Sequence, residues 1–377
     1  MDVGVAAACA GVLVVVMCVV VVVLATAGAR GSMDSKTFQA AESALLPPDA
    51  AFLASFRLEE GLPFVDVFVD DQGPVQCVVD TASAFLTVAT TECTHCNALR
   101  GVVSARTLRS RRPATSGPPT PFTLKYGSQT DHAERHRVSL RMGTAAAAAT
   151  AHGVPLYATH TRQQAKGFNV LGAASAMRGG TALSALMPSP THVLAMTFFT
   201  DSGKMFAVQP MGVRRESFAL CAPLRPHGGP HAQPRYALGV TRVVAGEGKD
   251  AKLVSVMCDG GGGGGGAIAG GAHNNAIVDT GSNFTSFSPA MFTALRPHFD
   301  RNETVHIWFE GCHAAFCLHW PNYRFDGTPQ GLLMANGDAG CSGMSVVLGT
   351  FALRGSTCVF CDDVFLCQQT HRAQKTD

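Results

Sequence analysis

Two short segments of the chain repeat each other. Val78-Val79-Asp80-Thr81-Ala82-Ser83 and Ile277-Val278-Asp279-Thr280-Gly281-Ser282 lie 199 positions apart, and each runs a β-branched apolar pair into Asp, Thr, a small residue and Ser. The apolar pair reads as the end of a strand that delivers its Asp to a turn. The small residue lets backbone approach a carboxylate, and the hydroxyls and amides of the turn hold that carboxylate in place. A second echo follows each segment: Val170-Leu171-Gly172 after the first and Val347-Leu348-Gly349 after the second. Each reads as a strand threading beside its Asp turn.

Two carboxylates set face to face cannot both ionise easily, so they share a proton. The shared state binds a water, with one carboxylate as base and the other as acid. A water activated in this way can attack an electrophilic carbonyl with no covalent intermediate. Asp80 and Asp279 are the candidate pair, with Thr81, Ser83, Thr280, Gly281 and Ser282 as the residues that support it.

The rest of the chain fits a mostly-β architecture. Phe64 to Val69 alternates in part, Asp70-Asp71-Gln72-Gly73-Pro74 is turn material, and Val75 to Val79 reads as the returning strand. Short strands with turn signals continue to the end, and convincing amphipathic helices are few. With 377 residues, 46% of them hydrophobic, the chain can bury one large core or two moderate ones. Lys and Arg number 29 against 27 Asp and Glu, a balance that argues against a nucleic-acid surface, which needs a basic stripe. The seven glycines Gly260 to Gly266 predict a flexible surface loop; no Gly-Lys-Ser or Gly-Lys-Thr follows, so they are not a phosphate cradle.

Residues Val3 to Ala29 carry no charge. The run is long enough to span a bilayer, and Ala25-Thr26-Ala27 and Ala27-Gly28-Ala29 fit the small-x-small pattern of a cleaved leader. Residues 1–29 are therefore read as a signal peptide or a membrane anchor, and both send the remainder into the secretory pathway, lumenal or extracellular. Of 13 Cys, Cys9 and Cys18 lie in that leader, and the odd remainder leaves at least one thiol free or paired between chains. Asn302-Glu303-Thr304 is a glycosylation pattern suited to an exposed loop, whereas Asn283-Phe284-Thr285 lies just beyond Gly281 and Ser282 in the buried turn region. No four Cys and His stand at compatible zinc spacing, and no cofactor motif is present.

On the two Asp segments and their Val-Leu-Gly partners, the chain resembles the pepsin-like aspartic proteases over about residues 61 to 367. The resemblance implies a bilobal fold of two similar β-barrel lobes with the cleft between them. Phe122-Thr123-Leu124-Lys125-Tyr126-Gly127-Ser128 resembles the strand leading into that family's flap, which makes Tyr126 the tyrosine that closes over substrate, next to Gly127. Arg137 to Met142 is similar to the strand leaving the flap, Gly203 to Val208 to the strand near the crossing between lobes, and Tyr236 to Val240 to the strand before the second Asp turn. The resemblance further implies disulfides between Cys312 and Cys341 and between Cys93 and Cys96. The chain departs from the family pattern at Ala82, where Gly is usual, at Thr87, where a Trp supports the flap tyrosine, and at Gln129 in the flap tip.

The expected organisation is a leader over 1–29, a linker, stalk or short propeptide over 30–60, an N-terminal lobe over 61–212 and a C-terminal lobe over 213–377. The expected function is that of a monomeric aspartic endopeptidase acting on a polypeptide in extended conformation, without cofactor, metal or nucleic acid; in the anchor reading, residues 3–29 hold it to a membrane. Ala82 keeps a rival open: a catalytically inactive relative that binds peptides or protein partners in the cleft.

Overall fold

The computed structural model describes residues 45–96, 100–111, 121–126, 129–143, 149–162, 167–174, 181–225, 236–247, 251–254, 275–287, 289–318, 332–334 and 344–369. The leader, Gly127, Cys341 and the seven-glycine run lie outside the described residues. Among the described residues, no helix is long and apolar enough to cross a membrane.

The chain is mostly β. In order, the strands are β1 (Ala51–Glu59), β2 (Leu62–Val69), β3 (Gln72–Asp80), β4 (Leu86–Thr94), β5 (Pro121–Tyr126), β6 (Gln129–Met142) and β7 (Ala149–Arg162). Next come β8 (Asn169–Gly172), β9 (Val193–Phe198), β10 (Ser202–Val208), β11 (Leu220–Arg225), β12 (Ala237–Ala245), β13 (Lys252–Val254) and β14 (Asn275–Val278). The last are β15 (Thr285–Phe287), β16 (Val305–Phe309), β17 (Ala315–Leu318), β18 (Leu332–Met334), β19 (Met344–Leu348), β20 (Ser356–Phe360) and β21 (Val364–Gln369). Among the described residues, three α-helices accompany them: α1 (Ala105–Ser110), α2 (Pro289–Asp300) and α3 (Thr350–Leu353).

The expected strand, turn and returning strand over Phe64 to Val79 form, with the turn narrowed to Asp70 and Asp71, both at positive φ, and Gln72, Gly73 and Pro74 already in β3. The helix α2 escaped the sequence reading, although Met291, Leu295 and Phe299 recur at one face and are all fully buried.

The repeat in sequence is a repeat in topology. The strand β8 pairs parallel to β3 and antiparallel to β4, so it threads between the two strands that flank Asp80. The strand β19 does the same between β14 and β15, which flank Asp279. The registers match: Val79 faces Leu171, and Val278 faces Leu348. Both Val-Leu-Gly glycines are required by close approach. A β-carbon on Gly172 would lie 2.4 Å from the carbonyl carbon of Ala84, and one on Gly349 would lie 2.2 Å from the carbonyl oxygen of Phe284.

An antiparallel run joins the two repeats, in the order β2, β1, β10, β9, β20, β21, β11, β12. It takes strands from both sides of residue 212. Within the segment read as linker, stalk or short propeptide, residues 51–59 are a strand of this run, with Leu53, Phe56 and Leu58 buried. The alternation was masked by a register shift between Phe52 and Ala54 and by Ala and Ser, which blur the apolar contrast.

Candidate active site

The two Asp turns are tied to each other by reciprocal hydrogen bonds. The Thr81 amide donates to Thr280 Oγ1 at 3.1 Å, and the Thr280 amide donates to Thr81 Oγ1 at 3.0 Å. Each hydroxyl then donates onward to the partner strand, Thr81 Oγ1 to the Val278 carbonyl at 2.9 Å and Thr280 Oγ1 to the Val79 carbonyl at 2.6 Å. Both threonines are fully buried, so these four bonds run without competition from water.

Each carboxylate is gripped by its own turn. The Ala82 amide donates to Asp80 Oδ1 at 2.7 Å, and the Gly281 amide donates to Asp279 Oδ1 at 2.9 Å. Ser282 Oγ adds a bond to Asp279 Oδ2 at 3.0 Å. Bonds from amides and hydroxyls to an ionised carboxylate are charge-assisted and fix its plane. Gly281 lies between the two acids: its amide holds Asp279, and a β-carbon on it would stand 2.6 Å from Asp80 Cγ. Asp80 is buried and Asp279 half-buried.

The Val-Leu-Gly strands brace the turns from behind. The Asp279 amide donates to the Leu348 carbonyl at 3.0 Å, and the Ala173 amide donates to the Asp80 carbonyl at 2.8 Å. The second turn has an additional tie, since Thr350 Oγ1 reaches the carbonyls of Thr280 at 3.1 Å and Ser282 at 3.2 Å. Ser83 is buried, and its Oγ accepts from the Phe85 amide at 3.3 Å.

Of the residues expected from sequence, the structure therefore brings together Asp80, Thr81, Ser83, Asp279, Thr280, Gly281 and Ser282. Tyr126 ends β5, where it pairs with Gln129 across the hairpin to β6. The body of that hairpin is seated beside the first turn: Leu124 and Ala133 pack with Tyr157 and Phe85, and the Phe85 and Tyr157 ring centroids are 4.8 Å apart.

Sequence reasoning missed several contributors. Asn169 opens β8 and is buried; its Oδ1 accepts from the Ala89 amide at 2.9 Å, and its Nδ2 donates to the Gly101 carbonyl at 3.1 Å. Asn283, just past the second turn, donates its side-chain amide to the Glu60 carbonyl at 3.1 Å and so ties the β1–β2 turn to the site. The positions of Asn169 just before Val170-Leu171-Gly172 and of Thr350 just after Val347-Leu348-Gly349 were the available signal; for Tyr157 there was none.

The cysteines divide. Cys93 and Cys96 form the expected disulfide. Cys341, the expected partner of Cys312, lies outside the described residues; the Cys312 thiol donates to the Cys221 carbonyl at 3.0 Å. The Cys312 side chain is directed toward β11, and this bond satisfies it. Burial pushes the Cys312 thiol up to about 11.

Comparison with models of known protein families finds no match, and no curated protein matches the chain in sequence.

Proposed function

We propose that the chain is a pepsin-like aspartic endopeptidase that hydrolyses peptide bonds with a water activated between Asp80 and Asp279. The observation that carries this reading is the reciprocal Thr81–Thr280 exchange, which locks two like turns together with Gly281 between their carboxylates. Such preorganisation suits a water held by one base and one acid. In this reading the two repeats are the cores of two lobes, the β5–β6 hairpin is the flap with Tyr126 at its end, and an extended polypeptide lies in the cleft as an added strand. The chain acts as a monomer in the secretory pathway, delivered there by residues 1–29.

A second reading rests on Ala82. A methyl stands in the first turn where the second turn has Gly281, and crowding there would leave a protein that binds peptides without cutting them.

The test uses the full chain and an unfolded protein substrate, assayed from acid to neutral pH. The wild type cleaves within that range, a pepstatin-type inhibitor stops it, and Asp80→Asn and Asp279→Asn each abolish turnover while leaving the thermal unfolding profile intact. An Asp279→Asn protein that cleaves as fast as wild type removes the peptidase assignment. Tight binding of peptides by a wild type that never cleaves selects the second reading.

A further inference from the structure

Among the described residues, four buried thiols lie outside the site: Cys77, Cys358, Cys361 and Cys367. Two of them meet. Cys358 on β20 and Cys367 on β21 are directly opposite in an antiparallel pair, and their Sγ atoms are 3.2 Å apart. Opposite residues of such a pair have Cα atoms about 4.5 or 5.5 Å apart, inside the range of about 4.4–6.8 Å that a disulfide spans. Closing the sulfurs to about 2.05 Å needs a movement on the order of 1 Å, within the reach of χ1 rotation without a register change.

We propose that Cys358 and Cys367 are a disulfide site, closed across the β20–β21 hairpin by a small-molecule or protein disulfide. The chemistry is thiol–disulfide exchange. The Cys367 or Cys358 thiolate attacks the oxidant's S–S bond, one thiol leaves, and the second cysteine displaces the other. One S–S bond forms, two S–H bonds are lost, and the oxidant is reduced to two thiols that carry the protons and electrons away.

Timing follows from burial. Cys358 is 0% and Cys367 1% exposed in the folded chain. Burial and the neighbouring Cys358 thiol hold the Cys367 thiol well above its ordinary value, so little thiolate is present once the sheet has closed. The exchange therefore belongs to folding, before β9 and β11 cover the hairpin on either side. The location gives the bond its consequence. The strand β20 pairs with β9 and β21 with β11, so the hairpin joins the strands before residue 212 to those after it. This site is independent of whether the Asp turns cleave peptides.

The competitor is Cys361, a buried thiol at the turn of the same hairpin. Peptide mapping separates the two. The full chain is unfolded, refolded in mixed oxidised and reduced glutathione, and its remaining thiols are alkylated under denaturing conditions. Cleavage before Asp362 and Asp363 divides Cys358 and Cys361 from Cys367. The expected result is a linked pair of peptides two hydrogens lighter than their sum, with the alkyl label on Cys361, and the link persists in Cys361→Ser. The refolded protein also unfolds at higher urea concentration before reduction than after it, and Cys358→Ala/Cys367→Ala loses the part of that difference beyond what the Cys93–Cys96 bond contributes. Alkylation of both Cys358 and Cys367 in the refolded wild type overturns the proposal, as does a link from Cys367 to Cys361; neither result depends on a variant folding.

Discussion

A β-carbon on Gly281 would lie 2.6 Å from Cγ of Asp80 and 2.8 Å from each of its carboxylate oxygens. No real side-chain carbon is tolerated at that distance, so the second turn requires glycine because of an acid that sits 201 positions earlier in the chain. The counterpart of that missing carbon in the first turn is the methyl of Ala82. Two substitutions follow. Gly281→Ala displaces the Asp80 carboxylate on the order of 1 Å and lowers kcat roughly a hundredfold. Ala82→Gly raises kcat with little change in KM, the pattern of an effect felt mostly in the transition state. Steady-state kinetics on a peptide substrate reads both, and an Ala82→Gly enzyme identical to wild type would show that the first turn has adapted to its methyl.

The Thr81–Thr280 exchange makes a prediction about stability that needs no activity. Thr81→Val keeps the side-chain shape but strands the buried Thr280 amide and Val278 carbonyl. Each unsatisfied group costs about 1–3 kcal/mol. Equilibrium urea unfolding should register that loss, and Thr81→Ser should recover most of it. A Thr81→Val cost below about 0.5 kcal/mol, the range of neutral surface changes, would mean that the four bonds do not hold the turns together.

Acid acts on the turn that meets Asn283. The Arg100 guanidinium, through its hydrogen bond to Glu59 and its charge, holds the Glu59 carboxyl below the ordinary glutamate value, with burial opposing. A depressed folded value contributes stability that is present above the unfolded value of about 4.3 and is lost as pH falls through the folded value. The Tm gap between wild type and Glu59→Gln should therefore narrow as pH falls from about 6 to about 3. Melting curves across that range check it, and a gap that stays constant with pH would detach Glu59 from the acid response.

Glycan acceptance should separate the two Asn-x-Thr patterns. Asn302 is exposed in the turn after α2, at φ 59°. Asn283 has its amide committed to the Glu60 carbonyl. Expressed through a eukaryotic secretory pathway, the chain should carry one endoglycosidase-sensitive glycan that Asn302→Gln removes and Asn283→Gln does not. A glycan on Asn283 would show that its bond to Glu60 forms too late or too weakly to exclude the transferase.

The amino-acid sequence by itself determined the mostly-β class, both Asp turns and the Val-Leu-Gly strands beside them. These are local requirements: a β-branched pair into Asp-Thr and a small residue states its conformation within six positions. Tertiary structure alone decided the rest. It placed residues 51–59 in the sheet through pairing with β10, set the Thr81 and Thr280 hydroxyls against each other's amides, seated Leu124 on Tyr157 and Phe85, and set the Cys312 thiol on the Cys221 carbonyl. Each of these joins side chains or strands distant in the chain, and no local pattern can state which distant atom a buried hydroxyl or thiol will meet, because that depends on the strand order the whole chain adopts.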